Sequence, residues 1–220
     1  MLDFIGLYTG KTLLIIITAY VIAVLFAIIM HECAHGYVAY WNGDDTAKLM
    51  GRLTFNPIKH MDVLGTLCFI FIGFGWAKPV PINPARFRNY KKGLITTSIA
   101  GVIMNFIVAI ISACLCVITL KFFNNSNLAS TFLRYLFSFS TSINISLMVF
   151  NLLPIYPLDG FNIISALLPY GNKFVSFMYR YGQILLFIVI IAISKIGIFS
   201  FITSNIYTAL LNLWAIIWGL

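Results

Sequence analysis

The chain contains a single glutamate, Glu32, and it stands between two of the three histidines in "HECAH", residues 31–35. On an α-helix, residues four apart lie on one face, one turn above each other, so His31 and His35 can bind one metal ion together. Glu32 is turned from His31 by about 100° and can still reach a water on that ion. Two imidazole ligands and a general base at this spacing are the signature of a hydrolytic zinc centre. Zinc held there lowers the pKa of its water to about 7 and polarises a carbonyl, and Glu32 is placed to take the proton. Cys33 lies about 200° round the helix from His31 and should face away from the metal. Five-residue patterns of this kind do arise by chance on exposed helices. Here the pattern sits inside an apolar run that begins near Leu13. Each ionisable group in the middle of a membrane costs about 2.5–3.5 kcal/mol or more, so packing does not account for three together.

A catalytic zinc usually takes three protein ligands and keeps one position open. The remaining candidates are His60, Asp3, Asp44, Asp45, Asp62 and Asp159. Asp3 falls on the far side of the first apolar run, and Asp44 and Asp45 follow Gly43 in what reads as a solvated turn. Asp159 stands out within "NLLPIYPLDGFN", residues 151–162, where Pro154 and Pro157 must break a helix. Broken helices at membrane depth are tolerated where they line a cavity or site. A proline-glycine turn with a capping aspartate would also account for this stretch. His60 and Asp62, on a loop, are the second ligand pair to consider, with capping or support of the site as their other role.

The elements that must hold these residues follow from composition. Of 220 residues, 61% are hydrophobic and only 9% charged, with a mean hydropathy of +0.98. Soluble domains are about half apolar and a quarter charged. The expectation is an all-α polytopic membrane protein, one membrane-embedded domain over 1–220 with a catalytic core at about 13–165 and C-terminal helices at about 172–220. Spans of about 20 apolar residues are expected at 13–42, 94–120, 132–153, 174–194 and 199–218. The segment 63–77 is short for a span and carries Gly65, Gly73 and Gly75, which weaken a helix. It is expected to be re-entrant, as part of a partly extended stretch around 63–83. The four cysteines fall in apolar runs and read as small packing residues. No cleavable signal peptide is expected, because the first apolar run leads into the charged motif.

Charge supports this topology. If 63–77 does not cross, Lys48, Arg52, Lys59, Lys78, Arg86, Arg88, Lys91, Lys92 and Lys173 share one side, and Lys11, Lys121, Arg134 and Lys195 the other. Nine against four makes the rich side cytoplasmic. The net charge of +8 is thereby explained without nucleic acid, since no basic stripe exists for it to bind. In the same topology the chain leaves the cytoplasmic side through 94–120 and returns through 132–153. Asp159 then arrives on the side of His35. If 63–77 crossed, Asp159 would emerge at the opposite face.

"HECAHG", "GRLTFNPIKHMD", "GFGWAKPVPIN", "AGVIMN" and "NLLPIYPLDG" follow in that order. Together they resemble the site-2 protease family of zinc intramembrane proteases, most of all its compact bacterial branch without PDZ or CBS domains. The resemblance covers about residues 20–165. It implies one zinc ion per chain, held by His31, His35 and Asp159, with Glu32 as the catalytic glutamate. It also matches Asn105 and Asn151 to asparagines near the metal that hold substrate backbone or an oxyanion. Many members have proline after "AG" where this chain has Val102. The implied activity is cleavage of a transmembrane protein substrate in the lipid bilayer, in a bacterial cytoplasmic membrane with the site towards the cytoplasm.

Other residues near the motifs can handle substrate. Ser140, Asn144 and Asn151 form a polar stripe on one face of the 132–153 span, although polar groups in spans also simply join helices. Pro79 and Pro81 exclude a helix in "GWAKPVPIN", so Pro79, Val80 and Pro81 form an extended piece able to pair with a substrate strand. Trp76, Arg86, Arg88, Lys91 and Lys92 alternatively make this region an interfacial anchor. The rival to a peptidase is a membrane protein that binds or transports metal without hydrolysis. A transporter would carry acidic or polar groups along a path through the membrane, whereas both motifs here sit towards one face.

Overall fold

A computed structural model describes residues 10–62, 64–65, 77–123 and 127–219. The described helices are α1 (Gly10–Trp41), α2 (Thr46–Leu49), α3 (Pro57–His60), α4 (Tyr90–Phe122), α5 (Leu128–Asn151), α6 (Asp159–Leu167), α7 (Lys173–Ile196) and α8 (Ile198–Trp218), with a 3₁₀ turn at Pro84–Arg86 before α4. Five of them, α1, α4, α5, α7 and α8, are long and apolar enough to cross a bilayer. The protein is therefore an all-α polytopic membrane protein, and each expected span agrees with its helix to within a few residues. Among the described residues there is no strand, only an isolated antiparallel bridge between Met61 and Ala77. The expected re-entrant stretch 63–77 lies outside the described residues except at 64–65 and 77.

Helix starts follow a local rule. Asn56, Asn83, Asn89, Asn127 and Asn172 each accept a bond from a backbone N–H of the first turn that follows. A short side-chain acceptor satisfies one of the donors that a helix N-terminus leaves unpaired. Pro57 and Pro84 stand directly after two of these caps, where their missing N–H is no loss.

α4 is the central helix. Half of its most apolar 18-residue window is buried, against none for α8. It packs on α1, α5, α6 and α8. Small residues allow this: Ala19, Ala23 and Ala27 of α1 and Gly101, Ala109 and Ala113 of α4 are all buried. Lipid offers helices no hydrophobic incentive to associate, so close backbone approach and interhelical hydrogen bonds must hold them. The Ser112 and Ser140 hydroxyls meet at 2.8 Å between α4 and α5. Ser138 of α5 meets Tyr207 of α8 at 2.8 Å, and the Trp214 indole donates to the Ile110 carbonyl at 3.1 Å. Phe187, Ile191, Phe201 and Ile216 turn outwards from α7 and α8, a surface that only lipid or another apolar partner can cover.

Candidate metal centre

α1 runs unbroken through the histidine motif and buries both imidazoles. Asp159 reaches them because the chain breaks after Asn151 and restarts as α6, whose first residue is Asp159. Gly160 makes that restart possible. A Cβ there would lie 2.3 Å from the Leu152 carbonyl oxygen, so only glycine lets the first turn of α6 pack on the end of α5.

The result is a compact triangle. The Nε2 atoms of His31 and His35 stand 2.9 Å apart, and Asp159 Oδ2 lies 3.4 Å and 3.3 Å from them. Three ligands of a tetrahedral zinc at about 2.0–2.1 Å would be separated by about 3.3 Å. His35 donates from Nδ1 to the Thr97 carbonyl at 2.7 Å, which leaves its Nε2 with a lone pair. Asp159 Oδ2 is buried and has no hydrogen-bond partner. Two imidazole nitrogens and a carboxylate oxygen gathered this closely must share a proton or a cation, and their separations match those of three zinc ligands. The residues present therefore fit zinc. Among the described residues, His31, His35 and Asp159 form the one group of metal-ligating side chains with this convergence.

Glu32 faces a different neighbour. Its Oε2 accepts from the backbone N–H of Val80 at 2.8 Å. The piece 77–83 is not helical, as Pro79 and Pro81 demand, and passes along α1 from Glu32 to Asp44 as a strap. Several bonds hold it. Lys78 N–H donates to the His60 carbonyl at 2.8 Å, and Asn83 N–H donates to Asp44 Oδ2 at 2.6 Å. Arg52, 8% exposed, donates from Nη2 to the carbonyls of Lys78 and Pro79 at 2.8 and 3.1 Å. Val80 packs towards Gly36, where an added Cβ would come within 3.0 Å of its methyl.

Two expectations change here. Asp44 is not in a solvated turn: it is 1% exposed and accepts from Thr46 as well as Asn83. Only Asp45 stays at the surface, paired with Arg86. Arg52, counted among the loop charges, is buried under the strap. Sequence reasoning missed both as site-supporting residues, and the signal was slight: polar side chains among the few that punctuate an apolar chain.

The other candidates separate. His60 donates from Nε2 to the Thr54 carbonyl at 2.7 Å, and Asp62 caps Gly65 at 2.8 Å; neither belongs to the triangle. Cys33 points to the Thr54 carbonyl, away from the histidines, as expected. Asn105 is fully buried, with Nδ2 3.1 Å from His31 Nδ1. Asn151 is half-buried at the end of α5 and donates to the Leu147 carbonyl at 3.0 Å. Asn144 is fully buried and donates to the Ser140 carbonyl at 2.8 Å, a bond within its own helix.

A buried His-His-Asp triangle beside a glutamate, inside a bundle of membrane-spanning helices, defines the class of intramembrane metallopeptidases. Comparisons with known proteins agree. Peptidase family M50 matches residues 116–192. A 155-residue stretch is 46% identical to "Putative zinc metalloprotease YwhC" of Bacillus subtilis (strain 168), covering 70% of each chain. No solved structure matches. The chain belongs to peptidase family M50, the site-2 protease family, and is a zinc-dependent intramembrane metalloendopeptidase.

Proposed function

We propose that this peptidase cuts a bond in or beside a transmembrane segment of another membrane protein, close to the cytoplasmic face of a bacterial cytoplasmic membrane. One zinc ion per chain is held by His31, His35 and Asp159. The observation that carries the reading is the buried triangle of His31, His35 and Asp159, whose ligand atoms converge on one point. The cytoplasmic orientation is supported by the basic residues between α1 and α4 (Lys48, Arg52, Lys59, Lys78, Arg86 and Arg88) and in the first turn of α4 (Lys91 and Lys92).

Zinc at this position supplies Lewis acidity, polarising the scissile carbonyl and acidifying a water. Glu32 removes the proton of the attacking water and returns it to the leaving amine, acting as base and then acid. Val80 N–H holds one oxygen of that carboxylate, which restricts its rotamers and leaves the second oxygen for the proton. Asn151, beside the break that delivers Asp159, steadies the substrate backbone. Pro79 and Pro81 carry no N–H, the N–H of Val80 is taken and the Lys78 and Pro79 carbonyls accept from Arg52, so a substrate strand along the strap would pair with the carbonyls of Val80 and Pro81. An extended substrate is required, since a helical segment keeps its carbonyls bonded internally.

The test is the Glu32→Gln protein, purified and reconstituted with a single-span substrate. Zinc content should equal that of the parent while cleavage falls by about 10²–10⁴-fold, the usual contribution of a general base. Parental cleavage by Glu32→Gln would refute the mechanism. Zinc binding with no cleavage by the parent of any single-span substrate would favour metal handling instead.

A further inference from the structure

One face of α4 holds three positions at four-residue spacing, Thr97, Gly101 and Asn105, opposite the two histidines. We propose that this face orients the zinc ligands and that Asn105 is a positioning residue for His31, not a substrate contact. The inference rests on the zinc site proposed above. The Thr97 carbonyl receives His35 Nδ1–H at 2.7 Å. One turn later Gly101 leaves room for both imidazoles, which a Cβ would meet at 2.5 and 2.6 Å. One turn further, the Asn105 carboxamide lies 3.1 Å from His31 Nδ1.

Two facts give Asn105 its role. It is fully buried, 0% exposed against 7–8% for His31, His35 and Asp159, so it lies behind them and offers no surface to a substrate backbone. Its Oδ1 is buried without a hydrogen-bond partner while its Nδ2 faces the imidazole. The two ends of a carboxamide have the same shape, and hydrogen bonding decides which faces where. Turning the amide over puts Oδ1 on His31 Nδ1, which then donates to it. His31 Nε2 keeps its lone pair for the metal, as His35 Nε2 does through Thr97. Zinc-bound histidines almost always donate their other N–H in this way, and losing the acceptor typically weakens metal binding 10–100-fold. An asparagine that merely joined two helices would find a backbone carbonyl; this one meets the ring of a ligand.

Zinc affinity, measured in detergent by competition with a fluorescent chelator, tests the proposal on Asn105→Leu, Asn105→Ala and Asn105→Asp. Leu and Ala remove the acceptor, and Ala does so without adding bulk, so it reports even if Leu fails to fold. Both should weaken zinc about 10–100-fold, while Asp, which keeps an acceptor, should stay near the parent. At saturating zinc, Asn105→Ala should cleave with an unchanged KM. Parental zinc affinity in Leu and Ala, a loss in Asp as large as in Ala, or a raised KM at full zinc loading would each overturn the proposal. A parent protein that bound no zinc would instead overturn the site on which the proposal rests.

Discussion

Gly101 is where the geometry predicts most from the smallest change. In Gly101→Ala the new Cβ would sit 2.5 Å from Cε1 and Nε2 of His35 and 2.6 Å from Cε1 of His31. Non-bonded carbons settle at about 3.5–4.0 Å, so one or both imidazoles must retreat by about 1 Å. Metal ligands tolerate only about ±0.2 Å, and a shift of that size removes at least one nitrogen from the coordination sphere. The other escape is for α4 to recede. The Ser112–Ser140 and Trp214–Ile110 bonds oppose that, and overpacking of this kind costs about 1–3 kcal/mol. The expected result is sub-stoichiometric zinc and cleavage lowered by about 100-fold or more, the loss typical of a 1 Å misplacement. Gly93 provides a control on the same helix. A Cβ there would meet the Phe87 side chain at 2.5–2.8 Å, so Gly93→Ala overpacks a site without metal ligands. Zinc per chain by elemental analysis, melting temperature in detergent and cleavage of a single-span substrate should be read together. Gly93→Ala should melt lower and still bind zinc. Full zinc and near-parental cleavage in Gly101→Ala, or equal zinc loss in both variants, would refute the reasoning.

The remaining predictions concern the other supports of the site. Asp159→Ala removes the proposed third ligand and should leave the protein with reduced zinc after gel filtration; an unchanged stoichiometry would remove Asp159 from the coordination sphere. Arg52→Leu removes the donor of the Lys78 and Pro79 carbonyls; both residues are exposed, so the cost is the net worth of the bonds, about 0.5–1.5 kcal/mol each. Zinc should stay bound while cleavage falls, because the strap also holds Glu32, and parental turnover would show that the strap keeps its place without Arg52. Chelation should stop cleavage, and added zinc should restore it where magnesium does not, since magnesium demands octahedral oxygen ligands. Recovery with magnesium would contradict a His-His-Asp site.

The parts of the site legible in the sequence were those set by short spacing or by chain connectivity. His31 and His35 lie on one face because four residues make a turn, and Asp159 is marked by two prolines that no continuous helix accepts. The five spans emerge from apolar run length alone. What escaped is long-range hydrogen bonding. Asp44 looked solvated because glycine and two aspartates make a plausible turn, and its burial depends on the N–H of Asn83, far along the chain. Arg52 was one basic loop residue among several until the strap folded over it. The partner of Asn105 was equally invisible: spacing places it one turn beyond Gly101, but only helix packing brings His31 to it.

Charge balance explains why the site can exist at membrane depth at all. Two neutral imidazoles and the carboxylates of Asp159 and Glu32 carry two negative charges in a region where each costs several kcal/mol. A divalent zinc brings the sum to zero. The hydrogen-bond donors that this apolar region provides are spent on holding that neutral set in place: Val80 N–H on Glu32 and the His35 Nδ1–H on the Thr97 carbonyl of α4. Among the described residues no lysine or arginine is paired with Asp159, and the buried Arg52 is turned to backbone carbonyls instead. A lysine or arginine beside Asp159 would neutralise the carboxylate without metal and compete with zinc for it. With only the two imidazoles beside Asp159 Oδ2, a metal ion bound by all three meets no competing lysine or arginine, and the same low dielectric that penalises the empty site favours zinc in the filled one.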